Sequence, residues 1–135
     1  MLWVAIAIVA WGLWAVFEKL AVQNMSPLLV QLTSAYVYSA FAPIMYLAMK
    51  ARNVNFDWNT KGVIWTTAAV TASTTACYAF LYAIQHRPAN VVVAWTQTYP
   101  VVSLFLCWLV LGESLTWSKL LGAFFIIMGA VFMGR

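Results

Sequence analysis

The sequence predicts an all-α, polytopic membrane protein with five transmembrane helices. Of its 135 residues, 65% are hydrophobic and only 7% are charged, against about 25% charged residues in ordinary globular domains. Its mean hydropathy is +0.89. Apolar runs recur along the whole chain between short polar breaks, a pattern that indicates several membrane spans and excludes a globular domain with a single anchor.

The five predicted spans cover residues 2–22, 27–49, 62–85, 88–111 and 117–133. Each is close to the roughly 17 to 25 residues that a helix needs to cross a bilayer. Pro27 and Pro88 stand at first helical positions, and Gly112 follows the end of the fourth run, as is usual at helix boundaries. We therefore expect residues 1–135 to form a single five-helix transmembrane domain, with the first helix retained and not cleaved as a signal peptide.

Loop charges bear on the orientation of the chain. Four basic residues lie on the N-terminal side (Lys50, Arg52, Lys61 and Lys119) and three on the other (Lys19, Arg87 and Arg135). The positive-inside rule favours a cytoplasmic N-terminus, but by only one charge, four against three. The near balance leaves dual topology open, in which two copies insert in opposite directions, beside a single fixed orientation.

The sequence lacks the residues that several classes of function require. The net charge of +4 is spread over loops without a basic cluster, so the sequence carries no nucleic-acid footprint. The single histidine, His86, lies in a loop beside Arg87, and Cys77 and Cys107 fall inside apolar runs, where cysteine usually packs as a small hydrophobe. We expect no metal, no cofactor and no enzymatic activity.

The first helix carries an aromatic face that ends in a carboxylate. Trp11, Trp14 and Glu18 share this face at helical spacing. Glu18 lies about 24 Å along the helix from Leu2, roughly one turn inside the far edge of the bilayer core. An intramembrane carboxylate beside tryptophan rings is a candidate cation-binding group, and the alternative is that Glu18 reaches the interface beside Lys19.

The second and third helices add polar residues in mid-span. Tyr38 lies on a polar face of the second helix, where Pro43 is expected to kink the chain because it has no N–H for the carbonyl of Ser39. On the third helix, a run of alanines lies opposite a periodic stripe of hydroxyl and amide residues. The residues of this polar stripe are Thr67, Thr71, Thr74, Tyr78 and Gln85. This stripe suits either contact between helices or the wall of a water-accessible path.

The fourth helix has polar residues nearly all round, so it should be surrounded by protein or water. Trp95, Thr96, Gln97 and Tyr99 lie near mid-span, and Pro100 frees the carbonyl of Thr96 at the same depth. Polar groups beside a broken helix at the midplane are where transporters hold substrates. We expect these four residues to bind substrate, with buried structural hydrogen bonding as the alternative.

The fifth helix carries glycines on one side. Gly122 and Gly129 are seven residues apart and stack on the same face, which permits close helix contact. We expect this face to be a dimer seam. Glu113, which follows Gly112 at a helix end, is expected to be structural.

The chain resembles an EamA-type repeat of the drug/metabolite transporter superfamily over nearly its whole length. The residues that carry the resemblance are Trp11-Gly12 with Lys19, Pro88-Ala89-Asn90, Tyr99-Pro100, Leu111-Gly112-Glu113, Lys119 with Gly122, and Met128-Gly129. The resemblance implies one half of a ten-helix inverted-repeat transporter fold. The chain is also similar to the four-helix small multidrug resistance family, whose members work as antiparallel dimers. That family's proton-coupling glutamate corresponds to Trp11 here and not to Glu18, so proton antiport and cationic drug export do not carry over.

The residues and the resemblance together lead to a functional hypothesis. We expect a multi-pass transporter, an exporter in a bacterial inner membrane, that moves a small metabolite, amino acid or cationic solute by alternating access. It would work as an antiparallel homodimer or paired with a related five-helix chain. The alternatives are a membrane subunit or assembly partner that transports nothing, and a translocase of a lipid-linked substrate.

Overall fold

The computed structural model describes residues 2–54 and 59–134, and in these ranges the regular structure is helical, without strands. Six helices follow in order: α1 Leu2–Asn24, α2 Pro27–Ala51, α3 Thr60–His86, α4 Ala89–Thr96, α5 Tyr99–Leu111 and α6 Trp117–Met133. Arg135, one of the charges counted above, and part of the loop before α3 lie outside the described residues. The all-α fold class is confirmed.

Four of the five predicted spans are helices long and apolar enough to cross a membrane: α1, α2, α3 and the stretch Ala89–Leu111 that contains α4 and α5. The fifth, α6, is an apolar helix of 17 residues, about 26 Å long at the usual helical rise. The chain is therefore a polytopic α-helical membrane protein. The first two helices each end two residues later than predicted, and the fourth predicted span is divided into two helices.

Helix boundaries follow from local chemistry. The hydroxyls of Ser26 and Thr116 accept hydrogen bonds from the amides three residues on, Leu29 and Lys119, each at 3.4 Å. Such side-chain caps satisfy amides that a helix start leaves without an internal partner. Gly112 ends α5 with φ of 67°, a left-handed conformation that glycine adopts without steric cost.

The chain divides into two compact units, of which the first comprises Met1–Phe17 and His86–Arg135. In this unit α6 packs against α4 and α5. Buried residues on the packed helices are mostly small: Val92, Ala94, Ala123 and Ala130. Small side chains let helix backbones approach closely, which is the usual way that helices associate within a membrane.

The second unit comprises Glu18–Gln85. Its buried side chains include Leu81 and Ile84, which are 1% and 0% exposed. The amine of Lys19 donates a hydrogen bond to the carbonyl oxygen of Ile84. This carbonyl is among the last four of α3, which have no partner inside the helix, so a cation here both completes a hydrogen bond and opposes the negative end of the helix dipole.

Candidate functional site

The fourth span is interrupted at Gln97 and Thr98, which separate α4 from α5. The amide of Gln97 still donates four residues back, to Val93, at 3.0 Å. The next bonds reach back only three residues, from Thr98 to Trp95 at 3.1 Å and from Val101 to Thr98 at 3.0 Å. The backbone therefore tightens through one turn before the helix resumes.

This tightening takes the helical donor from three carbonyl groups, those of Ala94, Thr96 and Gln97, and the last two belong to exposed residues at the break. Pro100 has no N–H to offer the carbonyl of Thr96, as expected from the sequence. The structure adds a second group, because Val101 donates to Thr98 and not to Gln97. The carbonyl oxygens of Thr96 and Gln97 are thus acceptors available to a ligand, to water or to another chain.

Two threonine hydroxyls reinforce the break. The Thr98 hydroxyl donates to the carbonyl of Trp95 at 2.7 Å, and the Thr96 hydroxyl donates to the carbonyl of Val93 at 2.9 Å. Because the Thr98 hydroxyl is engaged in this way, it does not cap α5, and no side chain of the described ranges does so. The start of α5 therefore has no side-chain cap, and the carbonyl end of α4 carries the partial negative charge of its helix dipole.

Aromatic side chains flank the break on both sides. Trp95 is 48% exposed and Tyr99 is 54% exposed, while Thr96 and Gln97 are also exposed. Ring faces attract cations, and unwound carbonyls at a helix C-terminus coordinate them. The four residues predicted to bind substrate in this span therefore lie together around one interruption of the backbone.

Lipid is a poor environment for this segment. The interruption lies nine to ten residues into a span of 23 residues, near the middle of the bilayer if the helix crosses it. An unsatisfied backbone group in hydrocarbon costs several kcal/mol, so irregular backbone occurs at that depth only where protein covers it or water reaches it.

The second unit holds the other polar candidates. Glu18 is half-buried, and one of its carboxylate oxygens is shielded from solvent. Tyr78 on α3 is exposed, and so is Tyr38 on α2. The substrate-binding role predicted for Glu18, Tyr38 and Tyr78 stays a prediction.

The threonine run of α3 is satisfied within its own helix. The hydroxyls of Thr67, Thr71 and Thr75 donate to the carbonyls four residues back at 2.8 to 2.9 Å. Thr67 and Thr71 line a groove on the helix surface together with Ala68 and Ala72. This bonding lowers the polarity of the groove, which suits contact with another helix better than the wall of an aqueous path.

The remaining predicted residues belong to their helices without a site being visible around them. Trp11 is exposed and Trp14 is half-buried. Helix α2 runs through Pro43 without interruption, and apart from the neighbouring backbone of their own helix no described atom lies within 4 Å of a Cβ atom added to Gly122 or Gly129. The kink at Pro43 and the dimer seam at these glycines stay predictions.

Sequence reasoning missed three contacts: the cap that Lys19 places on α3, the hydroxyl bond of Thr98, and the packing of Trp95 against Gly134. Only the Thr98 bond had a local signal, because a threonine three residues after a carbonyl can reach it. In the described ranges no three His, Cys, Asp or Glu side chains lie close enough together to hold a metal ion.

Comparison with known proteins gives a family match. Residues 1–135 match the model of the EamA-like transporter family, which covers the whole chain. No curated protein and no solved structure gives a significant match.

Proposed function

The chain belongs to the EamA-like transporter family of the drug/metabolite transporter superfamily, and from this premise we propose that it carries a small solute through the membrane at the break in its fourth span. The solute is a small metabolite, an amino acid or an organic cation, and the direction is export. Residues 1–135 act as one five-helix domain in a bacterial inner membrane. Access alternates between the two sides around the fixed site.

One observation carries this proposal: the interruption at Gln97 and Thr98. It puts two carbonyl acceptors, an amide side chain and two aromatic rings within one turn in the middle of a membrane span. Maintaining such a group in a membrane requires water or a polar partner. A transported solute that passes through a hydrated cavity meets that requirement, and a helix needed only for anchoring has no use for the break.

We further propose that two five-helix chains form the transporter, either as an antiparallel homodimer or as this chain paired with a related one. All residues from 60 to 76 in α3 are exposed, and they include six with hydroxyl groups after the first turn: Thr66, Thr67, Thr71, Ser73, Thr74 and Thr75. Small and hydroxyl side chains favour helix contact over lipid contact. A second five-helix chain would cover this exposed face of α3.

A membrane subunit that transports nothing is the second candidate. The internal bonding of the α3 threonines favours it, because those hydroxyls need no aqueous path. Under this alternative the polar groups of both α3 and the fourth span pack against partners, and Gln97 is structural.

Flux measurement separates the two candidates. Purified protein in liposomes is screened with radiolabelled amino acids and tetraethylammonium, and the variants Gln97→Leu and Tyr99→Ala are compared with Phe125→Leu, a change at mid-depth in α6. We expect both site variants to lose flux at least about tenfold while size-exclusion profiles stay normal, because they remove ligand contacts. Normal flux in both variants contradicts a transport site at the break, and no flux from the unsubstituted protein contradicts transport of these solutes by a homodimer.

Labelling of loop cysteines from each side of intact membranes tests the antiparallel arrangement. The cysteines replace Lys50 and Arg87, because these two residues are predicted to lie on opposite sides of the membrane. Dual topology predicts that each is labelled from both sides in part of the population. Labelling of each from one side only rules out the antiparallel homodimer and leaves the pair with a related chain.

A further inference from the structure

At the end of α6, Gly134 is required because of a neighbouring side chain and not because of its backbone conformation. Gly134 has φ of −86°, a value open to any residue, and its amide donates to the carbonyl of Ala130 at 2.9 Å. A Cβ atom at this position would lie 2.5 Å from Nε1 and 3.3 Å from Cε2 of Trp95. Since non-bonded carbon atoms pack at about 3.5 to 4.0 Å, a methyl group here and the indole ring cannot both keep their places.

Trp95 is attached to the break through its own backbone. Its carbonyl accepts both the amide and the hydroxyl of Thr98, at 3.1 and 2.7 Å. The preceding residue, Ala94, is buried where α4 packs against α6. The ring end of Trp95 therefore rests on Gly134 while the backbone end belongs to the interruption, so the contact joins the end of α6 to the candidate site.

We propose that Gly134 is a positioning residue: the absence of a side chain there provides the space in which the Trp95 indole is seated beside the break. This inference rests on the proposed function, in which Trp95 contacts the solute. Because the indole remains 48% exposed, it has room to turn away, and a larger residue at 134 displaces the ring without unfolding the helices. Trp95 then no longer presents the same face to the solute.

The first test is spectroscopic and needs no solute. The full chain, labelled with ¹⁵N in nanodiscs, gives one indole N–H signal for each of its eight tryptophans, and Trp95→Leu identifies the signal of Trp95. Gly134→Ala is compared with Gly62→Ala, which adds the same methyl group where the nearest atom, Cβ of Asn59, lies at 4.0 Å. We expect Gly134→Ala to move the Trp95 signal and Gly62→Ala to leave it in place. An unmoved Trp95 signal in Gly134→Ala overturns the proposal.

The second test is kinetic. In liposomes, for a member of the amino acid and tetraethylammonium panel that the unsubstituted protein transports, Gly134→Ala should raise the half-saturating concentration about threefold or more while the maximal rate changes less than about twofold. In a Trp95→Leu background, Gly134→Ala should add no further change, since the ring it displaces is gone. A lower maximal rate alone, or the same further change in that background, overturns the proposal.

Two other outcomes are decisive. If Gly134→Ala alone does not fold, recovery of folded protein by Trp95→Leu supports the contact, and no recovery contradicts it. If the unsubstituted protein moves no member of the panel, transport of these solutes by a homodimer fails, and the role of Gly134 in binding them fails with it. The indole signal distinguishes this result from failure of the contact itself.

Discussion

Two spans of this chain contain a proline in mid-course, and only one of them is interrupted. Helix α2 continues through Pro43, whereas the fourth span breaks into α4 and α5 just before Pro100. Both prolines follow a hydroxyl residue four positions earlier, Ser39 and Thr96. The Ser39 hydroxyl donates to Ala35 within a continuous helix at 2.9 Å, whereas the Thr96 hydroxyl stands at the end of one.

The difference shows that a proline permits a break but does not cause it. Before Pro43 the Ser39 hydroxyl donates four residues back, as in a regular helix, and α2 continues without a break. At the break before Pro100 the Thr98 hydroxyl gives the carbonyl of Trp95 a second donor, and α4 packs against α6. The chain thus stabilises this interruption with its own side chains, which supports the role proposed for it.

Replacing the two prolines is expected to have the largest effect. Pro100→Ala supplies the missing N–H for the carbonyl of Thr96, so the fourth span should approach a continuous helix and misplace the site, with a loss of flux of roughly 100-fold. Pro43→Ala should change flux less than about twofold. The comparison fails if the two variants lose flux equally in liposome assays.

The next largest effect tests whether a backbone carbonyl without a hydrogen-bond partner lowers the free energy of unfolding elsewhere in the chain. Lys19→Met removes the donor to the carbonyl of Ile84 and should lower the free energy of unfolding by about 2 kcal/mol. Lys61→Met, at the opposite end of α3, should be neutral or slightly stabilising because a cation near a helix start is unfavourable. Equal unfolding midpoints for both variants in detergent would show that these carbonyls cost little anywhere, and the break would lose its significance.

A smaller effect concerns the hydroxyl that reinforces the break. Thr98→Val removes the bond to the carbonyl of Trp95 and should destabilise the protein by about 1 kcal/mol. Thr75→Val removes a similar bond inside the continuous helix α3, where the backbone ladder is regular on both sides of the hydroxyl, and should cost less than about 0.5 kcal/mol. Chemical denaturation in detergent measures both, and a reversed order would contradict the role given to Thr98.

The smallest effect compares two helix starts. Thr116 caps α6 by accepting from the amide of Lys119, whereas Thr98 does not cap α5. Thr116→Ala should therefore cost about 0.5 to 1 kcal/mol, and Thr116→Ser should restore most of it. If Thr116→Ala costs nothing, an uncapped start is ordinary in this chain, and the open start of α5 carries no information.

The membrane spans and part of the candidate site could be predicted from the sequence. Apolar runs give the spans because lipid imposes length and hydropathy directly, and the free carbonyl of Thr96 follows from the chemistry of Pro100 alone. The extent of the break could not be predicted, since Pro43 offers nearly the same local sequence and yields a continuous helix. The cap by Lys19 and the seat of Trp95 on Gly134 depend on how distant segments approach each other, which periodicity does not encode.

Water access to the interruption in the fourth span tests the central claim most directly. In a Cys77→Ala, Cys107→Ala background, Gln97→Cys is treated with a membrane-impermeant cationic thiol reagent in sealed vesicles of both orientations. Phe125→Cys is the control, because Phe125 is 68% exposed halfway along α6, at a similar depth. A hydrated site predicts modification of Gln97→Cys at least about tenfold faster than that of Phe125→Cys. Equally slow modification of both positions would contradict it.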